Sequence, residues 1–140
     1  MNIKVKKLSD TIPDLHYAKA GDAGFDLYTS ETVVVEPGKK AVLKTGIAME
    51  IPEGHVGLIW DKSGLSVKHG LKTFGGVIDS GYRGEIAVAV SNLSDVAYTF
   101  EEGHRVAQML IQKVETANFE IVDELSDSER GDTGFGSSGK

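Results

Sequence analysis

Glu85-Ile86-Ala87-Val88-Ala89-Val90-Ser91 alternates bulky and small residues with a period of two. In an extended backbone that period places Ile86, Val88 and Val90 on one face and Ala87 and Ala89 on the other. A helix would space its apolar positions three and four apart, so this segment is a strand with two unequal packing faces. Working outward, residues 96–100, 105–114 and 118–122 read as further strands on the C-terminal side, and residues 55–60, 41–51 and 32–35 on the N-terminal side. Glu36-Pro37-Gly38 and Pro52-Glu53-Gly54 are turn signals between them. Short strands at this spacing predict an all-β sandwich or barrel. Ser63-Gly64-Leu65-Ser66-Val67-Lys68-His69 is the one helical segment, with Ser63 as N-cap and Gly70 as its stop. After Leu125 the composition shifts to Ser, Gly and acidic residues. The expectation is one β domain over residues 1–125 and a flexible tail over residues 126–140.

Composition removes several function classes. The 140 residues suit one domain. There is no cysteine, so disulfides and thiolate zinc sites are excluded, and the four histidines lack metal-ligand spacing. Any metal is then a hard cation held by carboxylates, water or substrate phosphate. A net charge of -6 with dispersed basic residues gives no field for nucleic acid or a membrane surface. Lys4-Val5-Lys6-Lys7 reads as solvated lysines on a strand edge. No apolar run approaches the ~20 residues of a membrane span, and no signal-peptide core is present. A soluble, cytoplasmic protein is expected.

Several segments carry side chains suited to a phosphorylated substrate. Asp61-Lys62-Ser63-Gly64 sets a cation and a hydroxyl at a helix start, where free N–H groups favour an anion; Ser63 there is equally an ordinary cap. Gly75-Gly76-Val77-Ile78-Asp79-Ser80-Gly81-Tyr82-Arg83-Gly84 reads as a hairpin with Asp79-Ser80-Gly81 at or near its turn. Asp79 is either a turn former or a carboxylate that takes a proton from water. Tyr82 either packs on a sugar or covers the hairpin. Asp26, inside an apolar strand, needs partners: structural hydrogen bonds or a metal-bound water. The odd separation of Arg105 and Gln108 puts them on opposite strand faces, with different jobs. In the tail, Arg130-Gly131-Asp132-Thr133-Gly134-Phe135-Gly136-Ser137-Ser138-Gly139 combines an Arg for a terminal phosphate, Gly N–H and Ser donors, and an aromatic for a base. The competing reading of that stretch is a disordered linker.

In their order and spacing these segments resemble the five motifs of the trimeric dUTPase family. They are Ala23-Gly24-Phe25-Asp26-Leu27, Lys62-Ser63-Gly64-Leu65, Gly76 to Gly84 as quoted above, Arg105-Val106-Ala107-Gln108, and the tail. The resemblance spans residues 20–139. It implies jelly-roll-like β-barrel subunits assembled as a homotrimer, with each active site shared between subunits. The implied reaction is Mg²⁺-dependent hydrolysis of dUTP to dUMP and pyrophosphate by in-line attack of water on the α-phosphorus. That reaction keeps uracil out of DNA and supplies dUMP for dTTP synthesis. Carried over, Asp79 orients the water, and Lys62, Ser63, Gly64 and Gln108 hold the phosphates. Asp26 lies near waters of a Mg²⁺ ion held mainly by the substrate. The backbone around Phe74, Gly75 and Gly76 contacts uracil, and Tyr82 packs on the deoxyribose. Arg130 contacts the γ-phosphate, Phe135 stacks on uracil, and Gly136, Ser137 and Ser138 complete the phosphate cradle.

This chain departs from the family pattern at three places. Gly81 stands where many relatives have a second Asp, and Lys62 stands where Arg is common, replacing a fork with a point charge. Thr73-Phe74-Gly75 occupies the stretch that sometimes supplies an Asn to uracil, so uracil recognition rests on backbone groups. Two rival readings share the fold or the site. A dCTP deaminase, alone or bifunctional with dUTPase activity, needs a Glu beside the base, and Glu85 is the candidate. A nucleotide-sensing protein would keep the site without turnover.

Overall fold

The structure is a computed structural model that describes residues 1–132. Along them run β1 (Lys4–Lys7), β2 (Phe25–Tyr28), β3 (Val33–Val35), β4 (Lys40–Lys44), β5 (Ile47–Glu50) and β6 (His55–Trp60). Helix α1 (Ser63–His69) follows, then β7 (Leu71–Phe74), β8 (Val77–Asp79), β9 (Ala87–Asn92), β10 (Tyr98–Phe100) and β11 (Arg105–Lys113). The strands pair antiparallel in four sheets: β2-β11-β6-β8, β4-β9-β7, β1-β5 and β10-β3. The fold is the all-β, jelly-roll-like arrangement expected, with one short helix among the described residues. No helix there is long and apolar enough to cross a membrane.

One apolar core joins the two larger sheets. Leu27, Ile59, Val106 and Met109 meet Leu43, Leu71, Val88 and Val90 in it. The alternation that opened the sequence reading holds: Ile86, Val88 and Val90 are buried, while Ala87 and Ala89 face outward, half-buried. Ala89 pairs with Val42 on one side and Phe74 on the other, so an apolar row crosses the outer face of β4-β9-β7. The N-terminal lysines are an edge strand, with Lys4 paired to Glu50 at 2.8 Å.

Several expectations need correction. Residues 41–51 form two strands, because Gly46 takes φ 67 and turns the chain between β4 and β5. Residues 118–122 are not a strand: every residue from 114 to 132 is exposed, and Phe119 and Ile121 are 93% and 99% exposed. Their alternating pattern finds no sheet edge among the described residues. Residues 75–84 are not a hairpin either, since β7 pairs with β9 and β8 pairs with β6. Gly75, at φ 64, lies where the chain leaves one sheet for the other. Ser63 is not the cap of α1. The first helical bond runs from Ser66 N to Lys62 O, so Lys62 is the N-cap, without a side-chain cap bond, and Ser63 is already inside the helix. Gly70 does end the helix, in the left-handed region.

Candidate active site

Asp26 on β2, Gln108 on β11 and Trp60 on β6 stand opposite one another in register, so all three project from the same face of the sheet. The Asp26 side chain is 16% exposed, and each carboxylate oxygen has a cation: Lys62 Nζ on Oδ1 and Arg105 Nε on Oδ2, the latter at 2.7 Å. A carboxylate this enclosed requires such partners, and the two ion pairs meet the requirement within the chain. A hydrogen bond to Tyr28, and then the Asp26 charge, push the Arg105 guanidinium above its ordinary value.

Arg105 and Gln108 do not lie on opposite faces. A β-bulge between Arg105 and Ala107 inserts one residue and resets the alternation, so Arg105 pairs opposite Tyr28 and Gln108 opposite Asp26. Both therefore converge on the Asp26 face. Gln108 Nε2 donates to the carbonyl of Asp61 at 2.9 Å, which leaves its second amide N–H for another acceptor. Gly24 keeps this amide in place from the other side: a Cβ there would meet Gln108 Oε1 at 3.2 Å and Leu110 Cδ1 at 3.1 Å.

Around these residues opens a cleft of about 520 Å³, lined by Gly24, Asp26, Trp60, Asp61, Lys62 and Gln108 among others. Ser63 and Gly64 follow Lys62 directly, exposed in the first turn of α1. The structure thus brings Asp26, Lys62 and Gln108 together, with Ser63 and Gly64 adjoining.

Asp79 and Tyr82 stand elsewhere. Asp79 pairs opposite Val56, near the start of β6, whereas Lys62 lies just past its end. At ~3.3 Å per residue the two are separated by about 20 Å of strand. Asp79 is exposed and begins a tight turn closed by Tyr82 N donating to Asp79 O at 3.0 Å. Tyr82 Oη donates to Glu85 O at 3.0 Å, and Arg83 Nη1 donates to Ser80 O at 2.6 Å. Phe74 is exposed at the end of β7, followed by Gly75 and Gly76. Gly76 O accepts from Ile59 N at 2.8 Å, so this segment lies against the C-terminal part of β6, between the two groups. Arg130 is exposed beside a turn in which Gly131 N donates to Ser128 O. Phe135, Gly136, Ser137 and Ser138 lie outside the described residues.

Asp61 received no role from sequence reasoning. Its Oδ1 accepts from Thr73 N and Thr73 Oγ1, both at 2.6 Å, and its Oδ2 accepts from Lys72 Nζ at 2.7 Å. Burial pushes the carboxyl up, but the bonds from Lys72 and Thr73 outweigh it and hold Asp61 below the ordinary aspartate range. Nothing in the spacing announces this, because the partners lie eleven and twelve positions away on another sheet. Glu85 is likewise occupied, its carboxylate accepting from Gly46 N at 2.9 Å.

The donor set suits one kind of metal ion. Among the described residues no three His, Cys, Asp or Glu side chains converge, and Asp26 already carries two cations. These residues fit a Mg²⁺ that would arrive on a triphosphate and keep its waters. Such an ion neutralises charge on the phosphate oxygens.

Comparison with known proteins agrees with this geometry. A family model described as dUTPase matches residues 10–139. A deoxyuridine 5'-triphosphate nucleotidohydrolase of Thermobifida fusca is 45% identical over 99% of this chain and 79% of its own length. One from Clostridioides difficile is 43% identical over 99% and 98%. Among solved structures, the Staphylococcus bacteriophage 80alpha dUTPase with dUpNHpp superposes with a TM-score of 0.93 at 36% identity, covering 99% of each chain. A variant dUTPase from phage phi11 of S. aureus, whose structure details a coordinated structural Mg(II) ion, gives 0.82 at 33% identity over 89% and 98%. On this match along nearly its whole length, the chain belongs to the dUTPase family.

Proposed function

We propose that this protein hydrolyses dUTP to dUMP and pyrophosphate with Mg²⁺, keeping uracil out of DNA and supplying dUMP, and that it does so as a cytoplasmic homotrimer. The observation that carries the reading is the division of labour along β6. Lys62, Ser63, Gly64 and Gln108 gather at one end as a phosphate-binding half, and Asp79 with Tyr82 stands at the other. A triphosphate needs spread positive charge and N–H donors, which the first group offers through Lys62, the uncapped start of α1 and the second N–H of Gln108. The attacking water needs a solvent-facing carboxylate, which Asp79 supplies.

In this reading Asp79 of one subunit faces the cleft of a neighbour and takes the proton of the water that attacks the α-phosphorus. Tyr82 packs on the deoxyribose, and the backbone of Phe74, Gly75 and Gly76 holds uracil. Residues 1–125 are assigned to the β domain, its last strand ending at Lys113 and residues 114–125 forming an exposed arm. The tail, residues 126–140, brings Arg130 to the γ-phosphate, Phe135 to the uracil face, and Gly136, Ser137 and Ser138 to the phosphates. Two surfaces support self-association: the outer row Val42–Ala89–Phe74, and the arm whose Phe119 and Ile121 have no cover among the described residues. The deaminase alternative is disfavoured because the Glu85 carboxylate is bonded to the β4–β5 bend.

Pyrophosphate release from dUTP, dTTP, dCTP and UTP, each with Mg²⁺ and with a chelator, tests the reading. Release is expected from dUTP with Mg²⁺ alone, with no ammonia from dCTP. Asp79→Asn is expected to lower kcat by roughly 10²–10⁴-fold while the variant still binds a non-hydrolysable dUTP analogue. An Asp79→Asn enzyme with unchanged kcat would remove Asp79 from the role of base.

A further inference from the structure

Asp61 joins two sheets at the place where two substrate-facing segments begin. It ends the run of β6 and is followed at once by Lys62, Ser63 and Gly64. Its carboxylate is bonded to Thr73 and Lys72 of β7, and Thr73 is followed at once by Phe74 and Gly75. Its carbonyl meanwhile receives the amide of Gln108. β6 hydrogen-bonds to β11 and β8, and β7 to β9. The sheet ladders therefore do not fix the end of β6 against β7. Beside the Ile59 N–Gly76 O hydrogen bond, the Asp61 side chain ties the end of β6 directly to Lys72 and Thr73 of β7.

We propose, resting on the function given above, that Asp61 is a positioning residue for dUTP hydrolysis, holding Lys62, Ser63, Gly64 and Gln108 at the spacing the triphosphate requires. It does not touch the reacting atoms, because both carboxylate oxygens are committed to β7. It acts through the two groups it fixes: the first turn of α1, whose position follows that of Asp61, and the Gln108 amide, whose free N–H points where the Asp61 carbonyl leaves it. Placement of this kind matters most for a ligand bound through several phosphate oxygens at once, since each contact depends on the same local frame. It matters less for the base, because the Phe74–Gly76 backbone assigned to uracil is held independently by the β7–β9 ladder and by the Ile59 N–Gly76 O bond.

The test compares Asp61→Ala, Asp61→Asn and the wild type as full-length protein, well below each melting temperature. Asp61→Ala is expected to raise KM for dUTP about tenfold or more, while inhibition by deoxyuridine, which lacks phosphates, stays unchanged. Asp61→Asn keeps an oxygen for the two Thr73 donors and is expected to recover most of the loss. A kcat/KM for Asp61→Ala within twofold of wild type overturns the proposal. So does a parallel loss of deoxyuridine binding, because the defect is then a general loosening of the fold. Should Asp61→Ala fail to fold, Thr73→Val removes only the Oγ1 bond from a side chain of the same shape. It is expected to raise KM in the same direction by a few-fold, and an unchanged KM overturns the proposal. Wild-type protein that releases no pyrophosphate from dUTP sinks the functional reading itself, an outcome distinct from active enzyme with indifferent variants.

Discussion

At Gly76 the chain presses backbone against backbone. A Cβ added there would sit 2.6 Å from the carbonyl oxygen of Ile59 and 3.0 Å from its Cβ, so no rotamer change relieves the clash. Gly76→Ala is expected to destabilise by about 1–3 kcal/mol, seen as a lower urea midpoint at unchanged slope. Asp61 makes a prediction of a different kind. Its folded-state pKa is depressed, so its contribution is whole above the ordinary aspartate value. The contribution declines as pH falls through that value and vanishes below the depressed one. Acid titration of stability should therefore show a shallower loss in that window for Asp61→Asn than for wild type, and identical acid limbs would refute the assignment. Residue types announced part of this site. Lys62 stood out as a cation at a helix start, whereas Gln108 entered as a phosphate ligand only through the family resemblance. The Asp61 link did not stand out, because a hydrogen bond between sheets leaves no local pattern.

Elements were legible where turn residues bounded them. Pro37-Gly38 and Pro52-Glu53-Gly54 closed β3 and β5, and β6, β9 and β11 appeared within a residue or two of their observed ends. The break at Thr45-Gly46 went unseen, since a lone glycine inside an apolar run reads as part of the strand. The bulge in β11 was also hidden, and it reverses the predicted placement of Arg105, because face assignment by counting fails once a residue is inserted. Residues 118–122 carry a sound strand pattern with no partner, for a pattern specifies a strand but not which chain supplies its edge. Beyond this arm, a chain ending after Asp127 removes Phe135 as its one large apolar side chain. It is expected to fold and assemble like the full-length protein, yet to lose nearly all dUTP hydrolysis. Phe135→Ala should lose less, about 1–3 kcal/mol in kcat/KM. Equal rates for the truncated and complete proteins at matched concentration would make the tail a bystander.

As a whole the molecule leaves several large apolar side chains exposed, Phe119, Ile121 and Leu125 of the arm among the most exposed of them. Placing charges there, with Phe119→Asp and Ile121→Asp together, is expected to weaken the proposed trimer, read as a lower sedimentation coefficient at micromolar protein. A variant that sediments unchanged would exclude the arm from assembly. The separation of Asp79 from Lys62 along β6 also has a consequence for inheritance. If each site takes its water-orienting acid from one subunit and its phosphate ligands from the next, two defective copies can rescue one another. Asp79→Asn and Gln108→Ala subunits, each inactive alone, would form intact sites wherever a chain keeping Asp79 sits before a chain keeping Gln108. Random mixing in a ring gives that order at about a quarter of the interfaces. Unfolding the two variants together and refolding them should thus restore about a quarter of normal activity, whereas sites closed within single chains would restore none. In a cell carrying both alleles, two losses would add up to a partial function.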